Sequence, residues 1–172
     1  LTVVFYPNGS KYKETMYKLG QIEGKETSWF ENGLVKSEMT FIAGKPDGAA
    51  ITYYIDGKKS SEVMYRNGAK EGEEHMWYAN GTDRELITYS QGNRNGAYKK
   101  WREDGTIEKE MTYKDNILDG QFTLYWESGK KMEQGTYKQG KYEGERAQWS
   151  ESGRLQSKVV YKDGQMVDGQ SY

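Results

Sequence analysis

The chain has 172 residues, of which 34% are hydrophobic, 30% charged and 14% aromatic, and its formal net charge is −1. It has no cysteine and one histidine, which excludes disulfides and thiolate metal centres and argues against zinc. Lys and Arg are dispersed among as many acids, which argues against nucleic acid as the main partner, and no apolar run approaches the ~18 residues of a membrane-spanning helix.

So polar a chain could be disordered, but its low net charge, scarce proline and 15 Tyr with 5 Trp point to an ordered protein with a thin, aromatic core. The glycines set a period of 24. Gly24, Gly48, Gly72, Gly96, Gly120 and Gly144 form one series, and Gly9, Gly33, Gly57, Gly81, Gly105, Gly129 and Gly153 another. A third runs Gly20, Gly44, Gly68, Gly92, Asn116, Gly140, Gly164. Two aromatic series keep the same step: Phe5, Trp29, Tyr53, Trp77, Trp101, Tyr125, Trp149, and Tyr17, Phe41, Tyr65, Tyr89, Tyr113, Tyr137, Tyr161. The units fall at about 1–23, 24–47, 48–71, 72–95, 96–119, 120–143 and 144–168, forming one repeat array over 1–172.

Each unit reads as a β-hairpin. A first arm runs to an aromatic pair, as in "GKETSWF". A turn follows, as in "YPNG", "FENG" and "YIDG". Pro7 favours a three-residue loop here, with a type I turn on Pro7-Asn8 and Gly9 left-handed in a bulge. The second arm alternates apolar and polar residues, as in "EMTF" and "EVMY". The second turn ("YKLG", "YRNG", "YSQG") has the same x-x-Gly shape, and Asn116 in a glycine position predicts a positive φ there. No segment has a helical period. The expected fold is all-β: an elongated antiparallel meander of about seven hairpins and 14 strands, solenoid-like, in a single sheet.

Alternation places the Trp series and the Met39/Phe41, Val63/Tyr65 column on one buried side, with Glu14, Glu38, Glu62 and Glu110 on the other. Next to the Trp series lies a further aromatic stripe, Tyr6, Phe30, Tyr54, Tyr78 and Trp126, interrupted by Arg102 and Ser150. It either covers turns and neighbouring backbone or binds a partner. Chemistry is sparse. His75 aligns with Thr27, Ile51 and Lys99 and reads as drift at a strand position. Glu73-Glu74, and Asp119 near Glu143, are pairs among 26 acids. No glycine-rich turn leads into a helix with Lys-Ser/Thr. The reading is a non-enzymatic protein with no catalytic residues, cofactor or metal.

The pattern G-x₄-W/Y-Y-x-N/D-G-x₇-Y-x-x-G-x₃-G, kept over about residues 3–169, resembles the MORN repeat variant family, which includes bacterial proteins labelled YwqK-type antitoxins. The resemblance implies a β-hairpin array and a protein-interaction scaffold, with an antitoxin or immunity role as one form. An alternative is a module binding cell-surface glycan or cell wall. A second is a membrane-associated, phospholipid-binding protein, from which this chain departs by lacking a basic excess. The apolar edge segment "LTVVFY" suggests self-association through edge strands. The first residue is Leu1 rather than Met. That fits removal of a signal peptide and an exported or surface location, and fits equally a cut from a longer chain.

Overall fold

Alternating side chains between turn residues give strands and nothing else: the computed structural model describes residues 1–172 as seventeen strands with no helix. The chain divides into two compact units. The first, residues 1–82 with 89–92, holds β1 (Thr2–Phe5), β2 (Lys11–Lys18), β3 (Gln21–Trp29), β4 (Val35–Ile42), β5 (Lys45–Tyr53), β6 (Lys59–Arg66) and β7 (Ala69–Trp77). Each strand pairs antiparallel with the next. The residues of β8 (Asp83–Ser90) are divided between the units. The second unit, residues 83–88 with 93–172, continues with β9 (Asn93–Trp101), β10 (Ile107–Lys114), β11 (Ile117–Leu118), β12 (Gly120–Tyr125), β13 (Lys131–Lys138), β14 (Lys141–Tyr142), β15 (Gly144–Trp149), β16 (Leu155–Lys162) and β17 (Gln165–Ser171). It too is an antiparallel meander. The strand count exceeds 14 partly because Asp119 and Glu143 each interrupt a first arm, between β11 and β12 and between β14 and β15.

The two turns of each hairpin differ. At the Asn/Asp-Gly turn, the Tyr6 N–H donates to the Ser10 carbonyl at 2.8 Å and the Gly9 N–H to the Tyr6 carbonyl at 2.9 Å, with Gly9 at φ 85°. This is the expected three-residue loop with a glycine bulge. The Asn8 side chain accepts the Ser10 N–H at 2.9 Å, and Asn32, Asp56, Asn80 and Asp104 act alike, which accounts for Asn or Asp at this position. The other turn was expected to share the shape and does not. Leu19 and Gly20 have φ 51° and 79°, between Lys18 and Gln21, which pair. It is a two-residue loop of type I′ pattern. Ala43, Asn67, Gln91, Asp115, Gln139 and Asp163 take the same left-handed conformation. Asn116 lies at φ 68°, as expected.

Register corrects the assignment of faces. Glu26 stands opposite Met39 and Gly24 opposite Phe41, whereas Thr27 stands opposite Glu38. Trp29 follows Thr27 by two and shares its face. The Trp series therefore lies with Glu38, Glu62 and Glu110, and the Met39/Phe41 column lies on the other side. We call these the Trp face and the Tyr face. The densest packing is on the Tyr face. Ala50 is opposite Val63, and Phe122 opposite Gly135. No side chain is completely buried, and Phe122 comes nearest at 2% exposed. A Cβ on Gly135 would stand 2.8 Å from the Phe122 ring, so the missing side chain at 135 is filled by the large one at 122.

Candidate functional site

The five stripe residues sit where each first arm enters its bulge turn, and all are half-buried. The Tyr6 hydroxyl donates to the Trp29 carbonyl at 2.8 Å, and its ring meets Tyr12 edge-on at 5.0 Å. The Tyr54 hydroxyl donates to the Trp77 carbonyl at 2.6 Å, and Trp126 Nε1 to the Trp149 carbonyl at 3.1 Å. Each bond ties one hairpin to the next. Phe30 has no such donor; the Lys36 ammonium lies 5.8 Å from its ring centre. Tyr78 takes the same backbone turn, its N–H donating to the Thr82 carbonyl at 2.8 Å. Arg102, which interrupts the stripe in the sequence, does the same work as the tyrosines. Its Nη2 donates to the Tyr125 carbonyl and its Nη1 to the Ile107 carbonyl, both at 2.9 Å. The polar tips of Tyr6, Tyr54, Arg102 and Trp126 are thus engaged with backbone, while the stripe residues stay partly exposed.

In the second unit Trp126 borders a groove of about 560 Å³. Its floor is Met111, Leu124 and Met132, and its rim carries Arg102, Glu108, Lys109 and Glu127. Glu108 is paired with Lys100 at 3.0 Å, and the Lys109 ammonium lies 5.4 Å from the Tyr98 ring centre. The combination of an apolar floor, an aromatic wall and a charged rim resembles the core-and-rim organisation of a protein interface. Sequence reasoning found Trp126 but missed the floor. Met132 occupies a position held elsewhere by Tyr12, Lys36, Ser60 and Arg84, and that apolar exception was the available signal.

The charged residues of the Tyr face are bound to neighbours. Glu133 is buried and takes the Arg146 guanidinium at 2.7 Å and the Gln148 amide at 3.1 Å. Burial pushes its carboxyl up, but these two bonds outweigh burial and hold it below the ordinary glutamate value. Arg146 also lies over the Tyr142 ring at 5.0 Å, and Tyr142 stacks on Tyr137 at 4.7 Å. Burial, then the bond with Tyr142, raises the Tyr137 phenol. Tyr98, half-buried beside Glu85, is pushed up to about 12, first by burial and then by that carboxylate.

His75, Glu74, Asp119 and Glu143, considered for chemistry, each have a structural neighbour. His75 lies edge-on to Trp77 at 5.3 Å and stands opposite Glu62. Glu74 is buried with one oxygen 2.5 Å from Lys70 Nζ. Asp119 accepts the Gln139 N–H at 3.1 Å, and Glu143 the Asp163 N–H at 2.9 Å. No three of the His, Asp and Glu side chains converge as a metal site would require.

Four segments, residues 22–43, 94–115, 118–139 and 142–163, match the family model described as MORN repeat variant. All four are in one phase of the 24-residue period. The intervening stretches in that phase, 46–67 and 70–91, keep the bulge turn, with Gly57 and Gly81 at positive φ, and end in the tight turn, with Gly68 and Gly92 just beyond them also at positive φ. No match to a curated protein was found.

Proposed function

The chain belongs to the MORN repeat variant family, and on that premise we propose that it is a scaffold that presents the Tyr face of its hairpins to a protein partner. Such repeats suit a binding role in general, because a regular sheet supplies surface without a reaction centre. The observation that carries the finer reading is the groove of Met111, Leu124 and Met132 beside Trp126. Its aromatic wall is already fixed by the indole bond to Trp149, so little side-chain entropy remains to be lost on docking. A toxin held and covered at this face is the form that an antitoxin or immunity role would take.

The test uses the immobilised full chain against extract of its source cells under several growth conditions. A stoichiometric protein partner should be retained by the wild type and by Gln121→Glu, which alters the Trp face. Met132→Glu, placing a charge on the groove floor, should lose it while melting like the wild type. Failure to retain any stoichiometric protein, or equal retention by Met132→Glu, would overturn the reading.

A further inference from the structure

The Trp face of the second unit has a different character. It carries two shallow hollows, of about 210 Å³ and about 230 Å³. Their linings correspond at a step of 24 residues: Glu110 to Gln134, Thr112 to Thr136, Gln121 to Glu145. Gln121 belongs to both. One hollow is thus repeated in successive hairpins, and hairpins succeed each other at two strand spacings, about 10 Å. The Trp series runs along the same face, and Trp149 walls the second hollow.

The polar groups are hydroxyls, amides and paired charges. The Lys99 ammonium is 2.9 Å from Glu110, and that of Lys158 is 2.8 Å from Glu145. Such a surface has little net field for an ion, but its amides, hydroxyls and charged atoms form hydrogen bonds readily. It is also rich in Lys, Glu and Thr, unlike the centre of a protein interface. A ligand that fits must be neutral, rich in hydroxyls, apolar on its ring faces and periodic at about two strand spacings. A pyranose ring offers C–H faces for an aromatic wall and hydroxyls at its rim. In a β-1,4-linked chain, alternate rings are turned over, so the disaccharide is the repeat, and its length is close to the hollow-to-hollow step.

We propose that the Trp face of the second unit binds a neutral β-1,4-linked polysaccharide lying across the strands, with one disaccharide per hairpin. This goes beyond the protein-binding reading and uses the opposite face.

The test is calorimetric titration of the full chain with cellohexaose, cellobiose, maltohexaose and a galacturonic acid hexamer. Cellohexaose should bind at least about tenfold more tightly than cellobiose, since it spans both hollows. Trp149→Ala and Gln121→Ala should each weaken cellohexaose by about fivefold to tenfold. Gln121 is exposed, so its variant should melt like the wild type and keeps the test valid if Trp149→Ala fails to fold. No binding of cellohexaose, equal binding of cellobiose or maltohexaose, tighter binding of the acidic hexamer, or wild-type affinity in Gln121→Ala would each overturn the proposal. So would a protein partner lost from Gln121→Ala in place of the sugar.

Discussion

The two ends of a hairpin are stabilised with opposite chemistry. At the bulge-turn end the group in need of a partner is a carbonyl of the next first arm, such as Trp29, Trp77, Tyr125 or Trp149. A side-chain donor from the preceding hairpin satisfies it: Tyr6, Tyr54, Arg102 or Trp126. At the tight-turn end the groups in need are N–H groups. The first is taken by a carboxylate: Ala43 by Glu23 at 2.7 Å, Asn67 by Asp47 at 2.9 Å, Gln91 by Glu71 at 2.8 Å. The second is taken by a backbone carbonyl, as Gly44 by Ile22 and Gly140 by Leu118. Unpaired backbone groups are costly wherever water is partly excluded. The orphan group at each end therefore favours a residue type, donors at one and acids at the other, with Phe30 and Asn95 as the departures. Donor shape is free within that rule, which is why a phenol, an indole and a guanidinium interchange.

The largest difference between the ends should appear on replacing their glycines. Gly120, beside the acid Asp119, has φ 123°, and a Cβ there would stand 2.8 Å from Thr112 Cβ. Gly129, in a bulge turn, has φ 76° and open space around it. Gly120→Ala should cost about 1–3 kcal/mol from strain alone, with the clash in addition. Gly129→Ala should cost about 1 kcal/mol. Urea denaturation measures both, and equal costs would mean that the bulge at Gly120 relaxes freely.

Next comes the carboxylate itself. Asp119→Ala should cost about 1–2 kcal/mol, in the range of a lost helix cap, because the Gln139 N–H loses its acceptor. Asp119→Asn keeps an acceptor oxygen and should cost less than half as much. If Asn and Ala were equivalent, the acid would not be acting as a turn cap.

Much of this was legible in the sequence, and the illegible part has a common cause. The period, the bulge turn and the positive φ at Asn116 follow from Gly, Pro and Asn, whose backbone limits are local. The type I′ turns were hidden because Leu19, Ala43 and Gln139 are not residues that announce a left-handed conformation; their conformation is imposed by the flanking strands. The faces were misassigned because a register shift falls between Ser28 and Trp29 as β3 pairs with β4. One extra residue on the second arm reverses simple alternation. The series Glu23, Asp47, Glu71, Asn95, Asp119, Glu143, acidic but for Asn95, was present at a step of 24, but acids on a polar chain carry no local signal of what they accept. Arg102 read as a gap in an aromatic row, since what it shares with Tyr6, Tyr54 and Trp126 is a donor rather than a ring.

At the bulge-turn end the comparison can be pressed in both directions. Arg102→Ala removes two bonds to carbonyls and should cost about 1–2 kcal/mol. Phe30→Tyr adds a donor where Tyr6 and Tyr54 have one, and should stabilise by up to about 1 kcal/mol. A thermal melt of Phe30→Tyr that falls below the wild type would show that the hydroxyl cannot reach the carbonyl of the next hairpin. At the tight-turn end, Ala43→Asn places a residue tolerant of φ 48° before Gly44. It should add on the order of 0.5 kcal/mol, read from the same melt, and no gain would mean that Glu23 already offsets the strain.

The smallest effect is electrostatic and separates the two faces at one turn. Beside Trp126, whose donor serves backbone, Tyr125 points its hydroxyl to Glu110 on the Trp face at 2.7 Å. That bond, joined by Lys99 and opposed by burial, holds the Glu110 carboxyl below its ordinary value of 4.5. Burial, followed by the same carboxylate, pushes the Tyr125 phenol up to about 12. A depressed carboxyl contributes stability above its unfolded value, and that contribution disappears as pH falls from about 4.5 through the folded value. A raised phenol contributes stability that is complete below 10.0 and lost as pH climbs towards about 12. Tyr125→Phe should therefore move the Glu110 titration, followed by carboxyl NMR, back up towards 4.5. It should also remove one phenol titrating near 12 from the alkaline absorbance curve. If Glu110 titrates unchanged in Tyr125→Phe, the neighbouring lysines Lys99 and Lys131 set its value, and donors at the bulge-turn end serve only the backbone.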